Sequence, residues 1–355
     1  MEFRQINKGG WSNKRRYRNY MYLIHSLEEQ RKKTEAEVKV EDKAEPDIDE
    51  YGIEHPLLAA PSIIYMSGKG ISAYNITLKG QSHINSDTRC QDRSGIRTLP
   101  DKGIVIAAVA DGVGSCALSD IGADCAVNAA LEVLVQQLEQ VELPLTGQIM
   151  GRLLRAAMNA AYDAVSEKAD KLEVHMYTLQ STLTVGVYDG DVLYVAHAGD
   201  DGVVALLADG RYCLVTVRHK GEEASSVYPL QSKNTWQFGM TKNVAAFVMC
   251  TDGVLDGFVR NRSENERVFY PFIKADFETI CKSEEDVQKI CDERNRILES
   301  EDYRARITDD LTYLAVSNNT RVANMTEPPT FNKEKWDEDT KKYAKRREKI
   351  LTGIL

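Results

Sequence analysis

Between residues 68 and 317 the chain alternates short apolar runs with turn residues, and two long stretches of helical period interrupt the series. Runs rich in Val, Ile, Leu, Thr and Tyr at 72–78, 103–110, 181–188, 191–198, 202–207, 212–217, 244–250 and 311–316 predict strands. The Asp-Gly pairs in "YDGD" (188–191) and "ADGR" (208–211) sit between apolar runs and predict hairpins, hence antiparallel pairing. Residues 118–140 and 147–171 show helical periodicity and are parted by "ELPLT", so two helices fall between the second and third strands. Helices grouped between hairpin strands predict an α+β fold and argue against the strict βαβ alternation of a doubly wound sheet.

The flanks have a different pattern. Tyr17, Tyr20, Met21, Ile24 and Leu27 stand at helical spacing after Ser12 and Asn13, which predicts a short amphipathic helix over 12–29. Residues 30–50 carry 13 charges in 21 positions and almost no large apolar side chains, the composition of a solvated linker. Residues 257–305 are charged, hold a helical pattern near 283–299, and read as a surface insertion. In the tail, Trp336, Tyr343 and Ile350 are seven apart in a charged background, as in a helix that docks one stripe. The expected organisation is an N-terminal helix and linker over 1–66, a compact domain over 67–318 and a charged helical tail over 319–355.

Composition narrows the function classes. A chain of 355 residues with 43% hydrophobic content can bury a large core. A net charge of −9 leaves no broad footprint for a phosphate backbone, so nucleic acid is not an expected partner. No apolar run approaches the ~20 residues of a membrane span. The basic N-terminus (Arg4, Lys8, Lys14, Arg15, Arg16, Arg18) is followed by a segment interrupted by His25 and Glu28, unlike a cleaved signal peptide, and the expected compartment is the cytoplasm. Seven scattered cysteines without a CxxC pair fit reduced thiols and no structural zinc.

The chemistry starts where the strands stop. "AVADGVGS" ends an apolar run on Asp111, "RCQDR" holds Asp92, "YVAHAGDDG" offers Asp200 and Asp201, "FVMCTDGVLDG" offers Asp252 and Asp256, and "ITDDLTYLAV" offers Asp309 and Asp310. One such acid is ordinary, because Asp-Gly is a common turn and a carboxylate at a strand end is usually solvated. Five together are not, since antiparallel strands can bring their ends to one rim. Carboxylates gathered there repel by about 4 kcal/mol per pair at ~4 Å in an intermediate dielectric. A multivalent cation or protonation relieves that repulsion.

The donors are oxygens, with no HExxH and no paired-His spacing, which disfavours zinc and suits Mg²⁺ or Mn²⁺. Gly112, Gly114, Gly202 and Gly253 beside the acids leave room for carbonyls and metal-bound waters, and Asp111 reads as a bridging ligand. Two hard ions ~3.5–4 Å apart can clamp a phosphoryl group and deprotonate a shared water, so phosphate-ester hydrolysis is the expected reaction. Neither a GxSxG elbow nor a GxxxxGK[ST] loop offers another route.

Over residues 81–317, in this order, the motifs resemble those of the metal-dependent Ser/Thr protein phosphatases, the type 2C or PPM family, in a divergent bacterial form. "CQD" is similar to the family's first acidic motif and "ADGVGS" to its Asp-Gly-x-Gly motif. "QSTLTVGVYDGDVLYVAHAGDDG" resembles the double strand ending in Gly-Asp, "CTDGVLD" the Ser/Thr-Asp-Gly-x-x-Asp motif, and "DDLTYLAV" the last strand. The resemblance implies a four-layer αββα sandwich of two antiparallel sheets flanked by helices. It implies hydrolysis of phosphoserine and phosphothreonine in phosphoprotein substrates by a metal-bridging water at a dinuclear Mn²⁺ or Mg²⁺ site, with a weaker third metal position. Asp92, Asp111, Asp252 and Asp309 would hold the two ions and serve as the catalytic acids, with the Gly112 carbonyl as a further ligand. Asp200 matches an acid near the third position, and Asp256 the trailing acid of its motif.

Three departures stand out. Gln91 replaces a common Glu, Val113 replaces a His that some relatives use as general acid, and "GDDG" replaces Gly-Asp-Ser-Arg. His83 is the candidate for protonating the leaving group, with a structural role as the alternative. Arg89 and Arg93 flank Asp92 and are read either as contacts to substrate phosphate or as solvated surface. Competing functions are a weak or inactive binding module of the same fold and a phosphatase of small phosphoesters; net acidity disfavours a nuclease. Substrate choice is expected in loops 219–241 and 257–305, where Trp236, Phe238, Phe269, Tyr270 and Phe272 read as local packing. The terminal helices would dock on the domain, pair with each other or recruit a partner kinase.

Overall fold

The computed structural model describes residues 46–218, 227–260, 267–338 and 340–341. The helix expected over 12–29, most of the 30–50 linker, and Tyr343 and Ile350 lie outside them. The chain divides into two compact units, Met1–His55 and Pro56–Leu355. In the first, β1 (Asp47–Ile48) pairs antiparallel with β2 (Glu54–His55), and the Asp49 carboxylate accepts the N–H groups of Tyr51 and Ile53 in the turn between them.

The second unit is built on two antiparallel sheets. One runs β11-β8-β7-β6-β5, from β5 (Arg93–Leu99), β6 (Ile104–Ala110), β7 (Leu183–Tyr188), β8 (Leu193–Ala198) and β11 (Gln237–Thr241). The other runs β10-β9-β12-β15-β4-β3, from β3 (Ser62–Met66), β4 (Ile71–Leu78), β9 (Gly202–Leu207), β10 (Tyr212–Leu214), β12 (Val244–Cys250) and β15 (Leu311–Asn318). The strand period of two sends alternate side chains between the sheets. Val105, Ala107 and Val109 of β6 and Val195 of β8 share one core with Val203 and Ala205 of β9, Phe247 and Met249 of β12, and Leu314 and Val316 of β15. The strands that the apolar pattern leaves out, β3, β5 and β11, are all at sheet edges, where fewer side chains must be buried.

A short helix, α1 (Gln81–Asn85), precedes β5, and the long pair α2 (Ser119–Glu139) and α3 (Gly147–Lys171) covers the five-stranded sheet, α2 lying on β5 and β6. Ala123, Ala126, Val127, Ala130, Leu131 and Leu134 form the buried stripe of α2 at three- and four-residue spacing. After β12 come α4 (Asp252–Phe258), the short antiparallel pair β13 (Val259–Arg260) and β14 (Arg267–Val268), α5 (Tyr270–Glu278) and α6 (Glu284–Glu299). Ile273, Phe277, Val287, Cys291 and Leu298 of α5 and α6 pack on Tyr74, Ile76, Val248 and Tyr313 of the six-stranded sheet.

That packing corrects the expectation of a surface insertion over 257–305: the segment supplies the fourth layer of the sandwich. Its buried stripe on α6 is narrow and the rest of the helix is charged, so composition hides the apolar face. At the base of the layer, buried Arg294 pairs with buried Asp276, which also accepts the hydroxyl protons of Tyr74 and Tyr313. The guanidinium lies 4.4 Å from the Phe272 ring centre and 4.6 Å from that of Tyr313. Phe272 also stacks on Phe258, and Tyr270 on Tyr212.

The sequence-based boundaries at 66/67 and 318/319 both fall within the second unit. β3 pairs with β4. Beyond residue 318, Thr326 N–H donates to the Ala208 carbonyl, Tyr212 Oη donates to the Thr330 carbonyl, and Phe331 and Trp336 pack on Phe269. Among the described residues no helix is long and apolar enough to cross a membrane, and all seven cysteines are free.

Candidate active site

Register decides where the acids meet. Arg93 lies opposite Ala110, so Asp92 and Asp111, one residue beyond each, arrive at the same end of the β5–β6 pair. In the other sheet Cys250 lies opposite both Gly202 and Tyr313, which carries Asp200, Asp252 and Asp309 to one rim. A hydrogen bond joins the two rims: Thr251 Oγ1 donates to Asp92 Oδ2 at 2.7 Å. Carboxylate oxygens of Asp111, Asp200 and Asp252 all lie within 4.8 Å of one another.

The other two acids of the expected set are placed differently. Asp92 is buried and faces Thr251, whereas Asp309 is exposed and accepts the N–H of Asp310 at 2.9 Å. Asp310 is the buried member of that pair. Its Oδ1 accepts the Gly80 N–H and its Oδ2 the Gln91 N–H, each at 2.6 Å, so it ties the α1 loop to the loop that carries Asp92. His83 belongs to the same corner, with Nδ1 2.9 Å from Asp310 Oδ1. Asp200, expected near a third position, lies with Asp111 and Asp252 in the triad.

The glycines act by close approach of backbones. A Cβ on Gly253 would lie 2.0 Å from the Asp310 carbonyl oxygen, and one on Gly112 would meet Gln91 Cβ and its carbonyl oxygen at 2.9 Å. Gly112 N–H donates to that Gln91 carbonyl at 3.2 Å. These positions bring the acid-bearing loops against one another, which a side chain would prevent.

Like charge and enclosure shape the electrostatics. Burial pushes the Asp111 carboxyl well above the usual carboxylate range, and the charges of Asp92, Asp252, Asp201 and Asp309 push it the same way. Asp92 is raised by burial and then by Asp310, against the hydrogen bonds of Thr251 and Thr312. Asp201 is raised by burial and then by Asp200, Asp92 and Asp252, against its bond from Thr182. Five segments distant in sequence therefore act on one another as a single negative site.

Several residues of this site carry no role in the sequence reading. Asp201 is fully buried beneath the cluster, with Thr182 and Thr184 donating to its Oδ2. Thr251 bridges the sheets, and Arg218 donates from Nε to the Asp200 carbonyl at 2.8 Å and pairs through Nη1 with Asp256, one helical turn from Asp252. Thr182 in "QST" and Thr251 in "CTDG" abut the acidic motifs, the one signal that marks them; each sits just outside a strand, ahead of β7 and after β12. Arg93 is neither solvated nor turned to the cluster. It is buried, donates to the carbonyls of Cys90, Asp92 and Pro56, and lies 3.7 Å from Asp124. Arg89 is half-buried.

The donor set suits a hard divalent cation. Every candidate ligand is oxygen, the charges are of one sign, and the triad's separations fall within the span of a single coordination sphere with ligands at about 2.0–2.6 Å. Asp201 Oδ1 is buried without a hydrogen-bond partner among the described residues, as expected where an electropositive group completes the electrostatics.

The family model described as "Protein phosphatase 2C" matches residues 79–294. No curated protein sequence matches the chain. Among solved structures, a bacterial serine phosphatase is similar at 11% identity and a TM-score of 0.50, covering 73% of this chain and 99% of its own. Serine/threonine phosphatase Stp1 from Staphylococcus aureus is similar at 12% identity and 0.49, covering 69% and 94%. The catalytic domain of the serine/threonine protein phosphatase PstP, in complex with two manganese ions, is similar at 15% identity and 0.45, covering 70% and 97%. Since the family model takes in more than half of the chain and four of its five acid-bearing segments, the chain belongs to the protein phosphatase 2C family.

Proposed function

We propose that the chain is a Mn²⁺- or Mg²⁺-dependent phosphatase of phosphoserine and phosphothreonine in proteins. One observation carries the reading: Asp111, Asp200 and Asp252, from three separate segments of a type 2C phosphatase sandwich, bring their carboxylate oxygens within 4.8 Å of one another. Asp111, Asp200 and Asp252 would hold a divalent ion, and Asp92 and Asp309, whose charges reach Asp111, would complete a second position with the Gly112 carbonyl. When bound, such ions neutralise the phosphoryl oxygens and activate water for in-line attack on phosphorus.

The chain's own residues supply orientation. Thr251 fixes the direction of Asp92, and Asp310 fixes the α1 loop and the loop that carries Asp92 by holding Gly80 and Gln91. His83, with Nδ1 against Asp310, has Nε2 as the atom able to hold a proton for the leaving oxygen. Arg218 holds Asp200 and Asp256 in place.

The test is turnover of a phosphothreonine peptide by the full chain with Mn²⁺, with Mg²⁺ and after EDTA. Hydrolysis that requires the metal and is abolished by EDTA supports the reading. Absence of hydrolysis at millimolar Mn²⁺, or hydrolysis indifferent to EDTA, overturns it.

A further inference from the structure

We propose that Asp201 is a positioning residue of the metal centre: it orients Asp111 through threonine hydroxyls and places a buried carboxyl group behind it, strengthening cation binding. The inference rests on the metal-binding reading above and concerns a residue outside the expected ligand set.

The connection can be followed atom by atom. Thr182 Oγ1 donates to Asp201 Oδ2 at 2.7 Å, and the same oxygen accepts the Asp111 N–H at 2.7 Å. Thr182 N–H donates to the Asp111 carbonyl, also at 2.7 Å. A hydroxyl has one proton. Because that of Thr182 is given to Asp201, its lone pairs face Asp111, and both backbone groups of Asp111 are held by one residue whose orientation Asp201 sets. Thr184 Oγ1 likewise donates to Asp201 Oδ2, at 3.2 Å, and lies 2.8 Å from His197 Nδ1. Thr184 thus stands between the Asp201 carboxyl group and the His197 ring. The contact lies inside the β7–β8 pair, where Thr184 and His197 are register partners.

Holding two threonine hydroxyls does not require a charge. An Asn oxygen would accept the same protons. Yet the residue is an acid, fully buried, next in sequence to Asp200, with Oδ1 unpartnered among the described residues. In a metal-free chain that arrangement is unfavourable, since a desolvated acid must either carry an unpaired charge or hold its proton against its ordinary preference. Beside divalent cations it becomes attractive, and partners one layer behind metal ligands typically change affinity by about 10–100-fold.

Asp201→Asn separates the two effects. In calorimetric titration of the full chain, its Mn²⁺ affinity should fall by about 10–100-fold, while the thermal midpoint of its metal-free form should rise above wild type. A residue that merely braces the strands would show unchanged Mn²⁺ affinity or a lower metal-free midpoint, and either result overturns the proposal. If Asp201→Asn does not fold, Thr182→Val cuts the same link; weakened Mn²⁺ binding then supports the proposal, and wild-type affinity overturns it. Failure of the wild-type chain to bind Mn²⁺ would reject the metal reading itself, and this proposal with it, before any substitution is compared.

Discussion

Thr251 Oγ1 donates to Asp92 Oδ2 across 2.7 Å while accepting the Thr312 N–H at 3.1 Å. One hydroxyl thus joins the loop ahead of β5, in one sheet, to the ends of β12 and β15 in the other. The two rims of acids are held in register by that link and by the packing of the sheets beneath it.

Thr251→Val should break the link and leave a buried carboxylate oxygen and a buried N–H without their partner. The expected loss is about 1–3 kcal/mol, read from urea unfolding of the metal-free chain, with Thr251→Ser restoring most of it. A valine variant as stable as wild type would show that the hydroxyl does not couple the sheets.

Asp111→Asn and Asp252→Asn should each reduce phosphopeptide turnover by at least about 100-fold, beyond the effect typical of a partner outside the ligand set. Circular dichroism should show an unchanged fold, because each substitution removes a charge from a repelling group. Near-normal turnover in either variant would remove that residue from the site.

The metal-free chain should lose stability as pH rises. Asp92, Asp111 and Asp201 keep their protons to higher pH when folded than the ordinary 3.8 of an unfolded carboxyl. Between those limits the folded chain binds more protons than the unfolded one, so this contribution is present at low pH and is lost as pH rises through the folded values. In EDTA, the urea midpoint should be higher near about pH 5 than near about pH 8, and Asp111→Asn should flatten the difference. An equal or steeper dependence in the variant would contradict the electrostatic account.

Arg294→Leu should destabilise the chain by about 3–5 kcal/mol, because it leaves Asp276 buried without its cation between two tyrosines. Replacing both partners, Arg294→Leu with Asp276→Leu, should be less harmful than the single change. Denaturant unfolding measures both; a mild single-variant effect would mean that the tyrosine hydroxyls alone satisfy Asp276.

Local chemistry made much of this protein legible from its residues in order. Hairpins at Asp189–Gly190 and Asp209–Gly210, the helices near 118–140 and 147–171, and acids at the ends of apolar runs all follow from interactions within a few positions along the chain. Other features depend on partners tens or hundreds of residues away. Edge strand β5 and the α6 layer have weak patterns because only one face is buried. The pairs Asp309/Asp310 and Asp200/Asp201 are indistinguishable as text, and only packing makes Asp310 a brace for two loops and Asp201 a buried acid behind Asp111. Arg93 reads from its spacing as a phosphate contact or as solvated surface, and only its neighbours in space show it buried and committed to the carbonyls of Cys90, Asp92 and Pro56. Side-chain roles of this kind are set by hydrogen bonds and charges across the sheets, which have no counterpart in sequence spacing.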